Sequence, residues 1–322
     1  LFFRFLEQDV FLYYHKQAIV SLMNDLITIG LGPAAYTTAL YCSRYKMNVK
    51  MIGSQPGGQV AASGDIENYT GIISIKGTEM SQIMMEQVKM YGAEIVFDTA
   101  EKIEKTSDGF IVHCSITGEH SAKTILLSTG TKHRLLGVPG EIEFYGKGVT
   151  YCATCDGMFY KDKPVAVVGG GNSAAEAALY LGDICESVRV FIRKDHFRAD
   201  DVLVEKVMKH PKVTVEFLTE IAEIRGEEKV SSVLLKNGEE RKLEGIFIEI
   251  GSNPENKLAK DLGVALDDEG FIKVDSGQRT NVPGVLAAGD NTTGSEKFAQ
   301  VTTAVGEGAI AAKAAHEIFQ HS

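Results

Sequence analysis

Two cysteines stand two residues apart in GVTYCATCDGMFY, residues 148–160, and an aspartate follows the second: Cys152, Cys155 and Asp156. This spacing admits three chemistries: half of a zinc knuckle, a structural staple, or a dithiol that cycles. Zinc requires four ligands, and the chain offers no second CxxC and no suitably spaced histidine pair; His133 and His196 flank the motif at no ligand spacing. A staple across so short a loop contributes little chain-entropy stabilisation. The five cysteines (Cys42, Cys114, Cys152, Cys155, Cys185) are odd in number and scattered, which fits a reducing compartment, taken as cytoplasmic, in which one special pair cycles. A CxxC pair closes a small ring whose thiols have lowered pKa values and exchange readily. The residues therefore favour a working dithiol and no metal. Asp156 is placed to move a proton when a thiolate forms or leaves, although a capping or turn role is its plainer reading.

A dithiol of this kind needs a source of electrons, and the segments around it supply nucleotide-binding patterns. MNDLITIGLGPAAYTTALYCSRYKMNVKMIG (23–53) reads as apolar strand, glycine turn, Ala-rich helix and apolar strand, a βαβ unit with Gly30-x-Gly32-x-x-Ala35 at its turn. Such glycines let the backbone approach a pyrophosphate, and the helix N-terminus presents free N–H groups to it. The second strand of this unit lacks the acid that commonly holds a ribose diol. A second unit, residues 163–200, repeats the pattern with Gly169-x-Gly171-x-x-Ala174. Two fingerprints imply two dinucleotides, a flavin paired with a nicotinamide. The second unit's closing strand runs into Arg193, Lys194 and Arg198 where an NAD site would place an acid, so the nicotinamide is expected to be NADPH.

Two later segments read as returns to the first unit. TILLSTGTK (124–132) is an apolar strand ending at Thr129-Gly130, and TNVPGVLAAGDNTTG (280–294) is a turn and a small-residue strand ending at Gly289-Asp290. A carboxylate at such a strand tip can accept from a ribitol hydroxyl. The second domain is thus inserted into the first, and the two chain crossings make a natural hinge.

The bulk composition agrees. The chain has 322 residues, a formal net charge of −10 and no apolar run long enough for a membrane helix. The acidic balance disfavours nucleic-acid binding. Residues 1–22 are apolar but carry Glu7, Asp9, His15 and Lys16, which disfavours a signal peptide; they are read as an extension before a functional start at Met23.

The segments GLGPAAYTTALY, GGQVAASGDIENYTG, STGTKHRLLGVPGE, GKGVTYCATCDG, VAVVGGGNSAAEAALYL, IRKDHFRAD and VPGVLAAGD, in order from about Met23 to the C-terminus, resemble low-molecular-weight thioredoxin reductases. The resemblance implies an α/β homodimer with two Rossmann-like, three-layer ββα domains, the NADPH domain (135–251) inserted into an FAD domain (23–134 and 252–322). Electrons would pass from NADPH through FAD to the Cys152–Cys155 disulfide and then to thioredoxin. By the same resemblance Cys155 is the thiol beside the flavin, Cys152 the interchange thiol and Asp156 the acid–base group. The FAD positions implied are Gly30, Gly32, Pro33, Ala34, Gly57, Gly58, Gln59, Asn68, Thr129, Gly130, Gly289, Asp290, Gln300 and Val301. The NADPH positions are Gly169, Gly171, Asn172, Ser173, Arg193, Lys194 and Arg198, and the hinges are expected near residues 134–135 and 250–251.

The chain departs from that pattern at Ala35 (for a third glycine), at Ile192 (for a histidine before the basic pair) and at Ala299 (for an arginine near the flavin). The loop NTTGSEK is longer than usual, and residues 1–22 have no counterpart. One competing reading keeps the fold but takes electrons from ferredoxin or acts on small dithiols or disulfides; Arg193, Lys194 and Arg198 count against a ferredoxin donor. Another is a non-catalytic redox sensor.

Overall fold

The computed structural model describes residues 23–63 and 65–321. The extension expected over residues 1–22, and any helix along its apolar face, lies outside the described residues. By packing, the chain divides into two units. Unit 1 comprises the described part of Leu1–Asp65, then Tyr69–Thr131 and Pro254–Ser322; unit 2 comprises Ile66–Asn68 and Lys132–Asn253.

Unit 1 opens with strand β1 (Asn24–Ile29), helix α1 (Pro33–Arg44) and strand β2 (Val49–Ile52). Helix α2 (Gly77–Met90) then leads to β3 (Glu94–Val96). A meander follows: β4 (Ala100–Lys105), β5 (Phe110–Cys114) and the ten-residue β6 (Gly118–Leu127). The sheet order is β3-β2-β1-β6-β5-β4. Strand β6 serves two ladders. Its first half pairs antiparallel with β5 (Phe110 opposite Ala122), while its second half runs parallel to β1 (Leu26 opposite Thr124).

Unit 2 repeats the design. Strands β7 (Val149–Thr150), β8 (Pro164–Val168), β9 (Ser187–Ile192) and β10 (Val213–Phe217) are interleaved with α3 (Ala153–Asp156) and α4 (Asn172–Ile184). A meander of β11 (Ile221–Gly226), β12 (Val230–Leu235) and β13 (Glu240–Lys242) comes next, followed by β14 (Gly245–Ile248). The parallel five-stranded order is β7-β14-β8-β9-β10. The chain then returns to unit 1, where β15 (Val285–Ala287) pairs with β6 and helix α5 (Val301–Gln320) follows.

Strand alternation decides the layers. In β8, Val165 and Val167 point to the core shared with the α4 residues Ala174, Ala178 and Leu181; Ala166 and Val168 point to the core shared with the meander residues Ile221, Ile224 and Val233. In unit 1, Leu26 faces α1 and α5 while Ile27 faces Phe110 and Val112. Each unit is therefore helix, parallel sheet and antiparallel meander, three layers with two apolar interfaces. Full burial of one such Leu or Phe side chain contributes roughly 1.5–3 kcal/mol.

Small residues bring α1 and α5 together. Ala34, Ala35 and Ala39 are buried against Ala311, Ala312 and Ala315. The Thr38 hydroxyl donates to the Gly308 carbonyl at 2.9 Å, and a Cβ on Gly308 would sit 2.5 Å from the Ala34 carbonyl oxygen. Ala35, the departure from a third glycine, is fully buried in this seam.

Candidate active site

Cys152 and Cys155 form a disulfide with 5.3 Å between their Cα atoms. The short strand β7 ends at Thr150, and the chain turns directly into α3, which carries the second cysteine and Asp156. Cys152 is the N-cap of this turn: its Sγ accepts from the Cys155 N–H at 3.2 Å, and its carbonyl accepts from the Asp156 N–H at 3.2 Å. Both cysteines are half-buried. Tyr151, just before the pair, stacks on His133 with ring centroids 4.7 Å apart and donates its hydroxyl to the buried Glu141 at 2.9 Å.

Asp156 is also half-buried. Burial pushes its carboxyl above the usual carboxylate range, and a hydrogen bond from the Thr150 hydroxyl pulls it back in part. Its charge helps to raise the phenols of Tyr145 and Tyr160, which burial already raises. A carboxyl of raised pKa beside a disulfide suits proton transfer near neutral pH better than an ordinary surface aspartate does. The remaining cysteines lack this character. Burial raises all three thiols, Cys42 to about 12 and Cys185 to about 11, so they are poor nucleophiles. Among the described residues no cluster of three or more His, Cys, Asp or Glu side chains could hold a metal ion.

One residue near the pair escaped the sequence reading. Glu249 follows β14, and its Oε1 accepts from the Ala153 N–H at 3.3 Å, at the start of the helix that bears the disulfide. Burial is the main cause that lifts its carboxyl to about 7. The available signal was a single acid in the apolar run GIFIEIG, just past a strand end and two residues before a glycine.

The second fingerprint lies at the same end of the same sheet. Gly169, with φ +150°, follows β8, and a Cβ there would meet the Glu249 carbonyl oxygen at 2.2 Å. Gly171 is the N-cap of α4, has open space where a Cβ would project, and provides no side-chain cap to the helix. A thirteen-residue helix with an uncapped N-terminus and no acid in its first turn is a receptive end for a pyrophosphate. Asn172 bonds reciprocally with Asp200, whose N–H it accepts at 2.9 Å, which fixes the loop; Ser173 is exposed in the first turn. Arg193, Lys194 and Arg198 are exposed, and no described residue forms an ion pair with them. Ile192 is buried beneath Gly170, with its Cγ2 3.0 Å from the position of a Cβ there, so the histidine departure falls on a packing position.

In unit 1 the first fingerprint has the same construction. Gly30 has φ +118°, and a Cβ would strike the Ser128 carbonyl oxygen at 2.2 Å; Gly32 caps α1 through no side chain and faces open space, with Pro33 at the first helical position. Gly57 and Gly58 have positive φ, and the Gly57 N–H donates to the Leu31 carbonyl at 2.8 Å, which brings this loop to the turn. A Cβ on Gly58 would lie 3.4 Å from Gly32 Cα. Gln59 donates to the Thr131 carbonyl at 2.8 Å, and Thr129 donates to the Glu255 carbonyl at 2.7 Å; Gly130, with φ +66°, accepts from the Glu255 N–H. A Cβ on Gly289 would lie 3.2 Å from that of the buried Ala34.

Beside Gly289, the Asp290 carboxyl has no hydrogen-bond donor among the described residues. Burial, with repulsion from Glu307, lifts it to about 6. Asp290 is half-buried, and a half-buried acid without a donor is what a ribitol hydroxyl would satisfy. Gln300 closes the N-terminus of α5 through a capping box with Thr303, and Val301 is the first residue of the helix. Asn68 alone of the candidate flavin set belongs with unit 2. Ala299, the position that lacks the expected arginine, lines a small cavity with Gly289, Asp290, Lys297 and Glu307.

Comparison with known proteins places these features in a family context. The pyridine nucleotide-disulphide oxidoreductase family matches residues 24–308. The thioredoxin reductase of Treponema pallidum is 39% identical over 298 residues, covering 90% of this chain and 95% of that protein. That of Bacillus subtilis is 38% identical over 296 residues, covering 90% and 92%. Among solved structures, thioredoxin reductase from Streptococcus pyogenes is similar with a TM-score of 0.88 and 39% identity, over 94% of this chain and 99% of that one. The Giardia duodenalis enzyme gives 0.86 and 31% identity, over 92% and 99%.

Proposed function

The chain belongs to the pyridine nucleotide-disulphide oxidoreductase family, and we propose that it is a thioredoxin reductase, driven by NADPH and FAD and acting through Cys152 and Cys155. The observation that carries the reading is the half-buried Cys152–Cys155 disulfide with the raised carboxyl of Asp156 in the same helical turn, at the strand ends that also carry Gly169 and Gly171. FAD, when bound, takes a hydride equivalent from NADPH and passes two electrons to the disulfide.

The residues divide the rest of the work. The uncapped ends of α1 and α4 receive the two pyrophosphates, and the Asp290 carboxyl receives a flavin ribitol hydroxyl. Arg193, Lys194 and Arg198 supply unpaired positive charge for a 2′-phosphate, which favours a nicotinamide donor over ferredoxin. Reducing the disulfide to two thiols takes two electrons and two protons. A hydride supplies both electrons and one proton, so one more is drawn from solution, and Asp156 is the group that carries it. The Cys152 thiolate then attacks one sulfur of the partner disulfide and expels the other as a thiolate. Cys155 breaks the resulting mixed disulfide, releasing the partner as a dithiol and restoring the Cys152–Cys155 bond. Homodimerisation and a cytoplasmic location complete the proposal. No helix among the described residues is long and apolar enough to cross a membrane.

Anaerobic stopped-flow reduction tests the donor assignment. NADPH should bleach the visible flavin band much faster than NADH at equal concentration, and replacing Arg193, Lys194 and Arg198 together with Ala should remove that difference. Failure of both nucleotides to bleach the band would sink the proposal.

A further inference from the structure

Glu249 touches both halves of the inserted unit's chemistry. Its side chain accepts from the Ala153 N–H, at the start of the disulfide-bearing turn, and its carbonyl oxygen packs where a Cβ on Gly169 would be, at the nucleotide-binding turn. Its own N–H donates to the Val168 carbonyl at 2.8 Å, so the residue is fixed by the sheet rather than by a loop. Two acceptors therefore share the amides of one short turn: the Glu249 carboxyl on Ala153 N–H and the Cys152 sulfur on Cys155 N–H. The family fingerprints account for neither the acid nor its contact.

We propose that Glu249 is a positioning residue for the redox pair, holding the Ala153 end of the dithiol turn and, through its charge state, setting how readily Cys152 becomes a thiolate. A carboxylate and a thiolate on amides of the same short turn repel one another, so ionised Glu249 disfavours the thiolate and protonated Glu249 permits it. The carboxyl titrates near pH 7, where such coupling changes reactivity most. Among the charged groups packed around it, the exposed Glu176 on α4 raises it further. The dithiol turn contributes the two cysteines. At the far end of that turn Asp156 is engaged by the Thr150 hydroxyl and faces Tyr145 and Tyr160. The two carboxyls thus have separate tasks: Asp156 carries a proton for the reduction step, and Glu249 adjusts the nucleophile. This inference rests on the redox reading of the pair given above.

The test is the pH dependence of iodoacetamide alkylation at Cys152 in phosphine-reduced, FAD-loaded protein, followed by peptide mass spectrometry. Glu249→Gln keeps an acceptor for the Ala153 N–H and removes only the charge, so a purely structural role predicts an unchanged profile. The inference predicts a profile displaced to lower pH by about one unit, which makes alkylation at pH 6.5 about three- to tenfold faster than in the wild type. An unchanged profile, or one displaced to higher pH, overturns it. Should Glu249→Gln not retain FAD, the surface substitution Glu176→Gln takes its place. It keeps Glu249 ionised to lower pH and should displace the profile upward; no displacement, or a downward one, again overturns the inference. NADPH reduction of the same samples reports separately on the underlying reading. Wild-type protein that yields thiols with phosphine but none with NADPH would defeat the donor assignment and leave the Glu249 result intact.

Discussion

Cys152 and Cys155 are chemically unlike the other three cysteines because of where they sit, not because of their spacing alone. Cys42 and Cys185 are buried in apolar surroundings that hold them as neutral thiols. The pair is half-buried, with an acid in the same turn. Cys152→Ser and Cys155→Ser should each lower NADPH-driven thioredoxin reduction at least about a thousandfold, since the two thiols act as one unit, while the yellow FAD-bound protein is still recovered. Turnover that survives both changes would defeat the dithiol mechanism. Asp156→Asn should lower turnover by about a hundredfold. The sign of its pH dependence follows from the direction of the shift. With the carboxyl raised by burial, its protonated form persists to higher pH, and activity falls as pH rises through the Asp156 titration. The Asn variant should lose that limb, and a limb retained in the variant would assign it to another group. The spacing of the two cysteines and the acid was readable from the sequence. Glu249 was not, because its contact with the Ala153 N–H joins residues 96 positions apart through the parallel sheet.

At the scale of the elements, each fingerprint joins two kinds of glycine that the GxGxxA pattern does not distinguish. Gly30 and Gly169 have positive φ and no room for a Cβ, each closed off by a backbone carbonyl oxygen at 2.2 Å. Their role is to make the strand-to-helix turn, and Ala at either should cost about 2–6 kcal/mol from strain and overpacking together. Gly32 and Gly171 cap α1 and α4 with extended backbone (φ −91° and −97°) and open space in front. On the proposed function they leave that space for a ligand. Gly32→Val should therefore fold and lose FAD, and Gly171→Val should fold with FAD and lose NADPH reduction. Thermal melts of the apo proteins beside flavin content and NADPH bleaching check this. A Gly32→Val protein that keeps full flavin occupancy would show that the cradle is not where the cofactor lies.

At the scale of the whole molecule, each unit carries two apolar cores of its own, one under its helices and one under its meander. Unfolding need not be a single transition. The proposed flavin positions, Asn68 excepted, belong to unit 1, and a ligand stabilises the state that binds it, by about 2.7 kcal/mol at a hundredfold excess over Kd. Removal of FAD should therefore speed amide exchange in β1 and β6 far more than in β8 and β9. Equal loss of protection in all four strands would show that the units do not answer to the flavin separately. Unit 1 is itself assembled across the insertion. Strand β15 pairs with β6 from more than a hundred residues away, Leu286 opposite Leu126, which puts Gly289 and Asp290 at the first nucleotide turn.

The sequence by itself determined the α/β class, the two βαβ turns, the CxxC spacing with its following acid and the basic residues after β9. These are local patterns: apolar period, glycine placement and charge within a few residues, and short-range sterics suffice to decide them. Only the tertiary structure decided which glycines make the turn and which face open space, that Asp290 is half-buried without a donor, that Asn68 packs with the second unit, and that Glu249 accepts from the Ala153 N–H. Each of these depends on burial or on a partner distant along the chain. Desolvation and close contact arise from packing, which no single stretch of sequence contains.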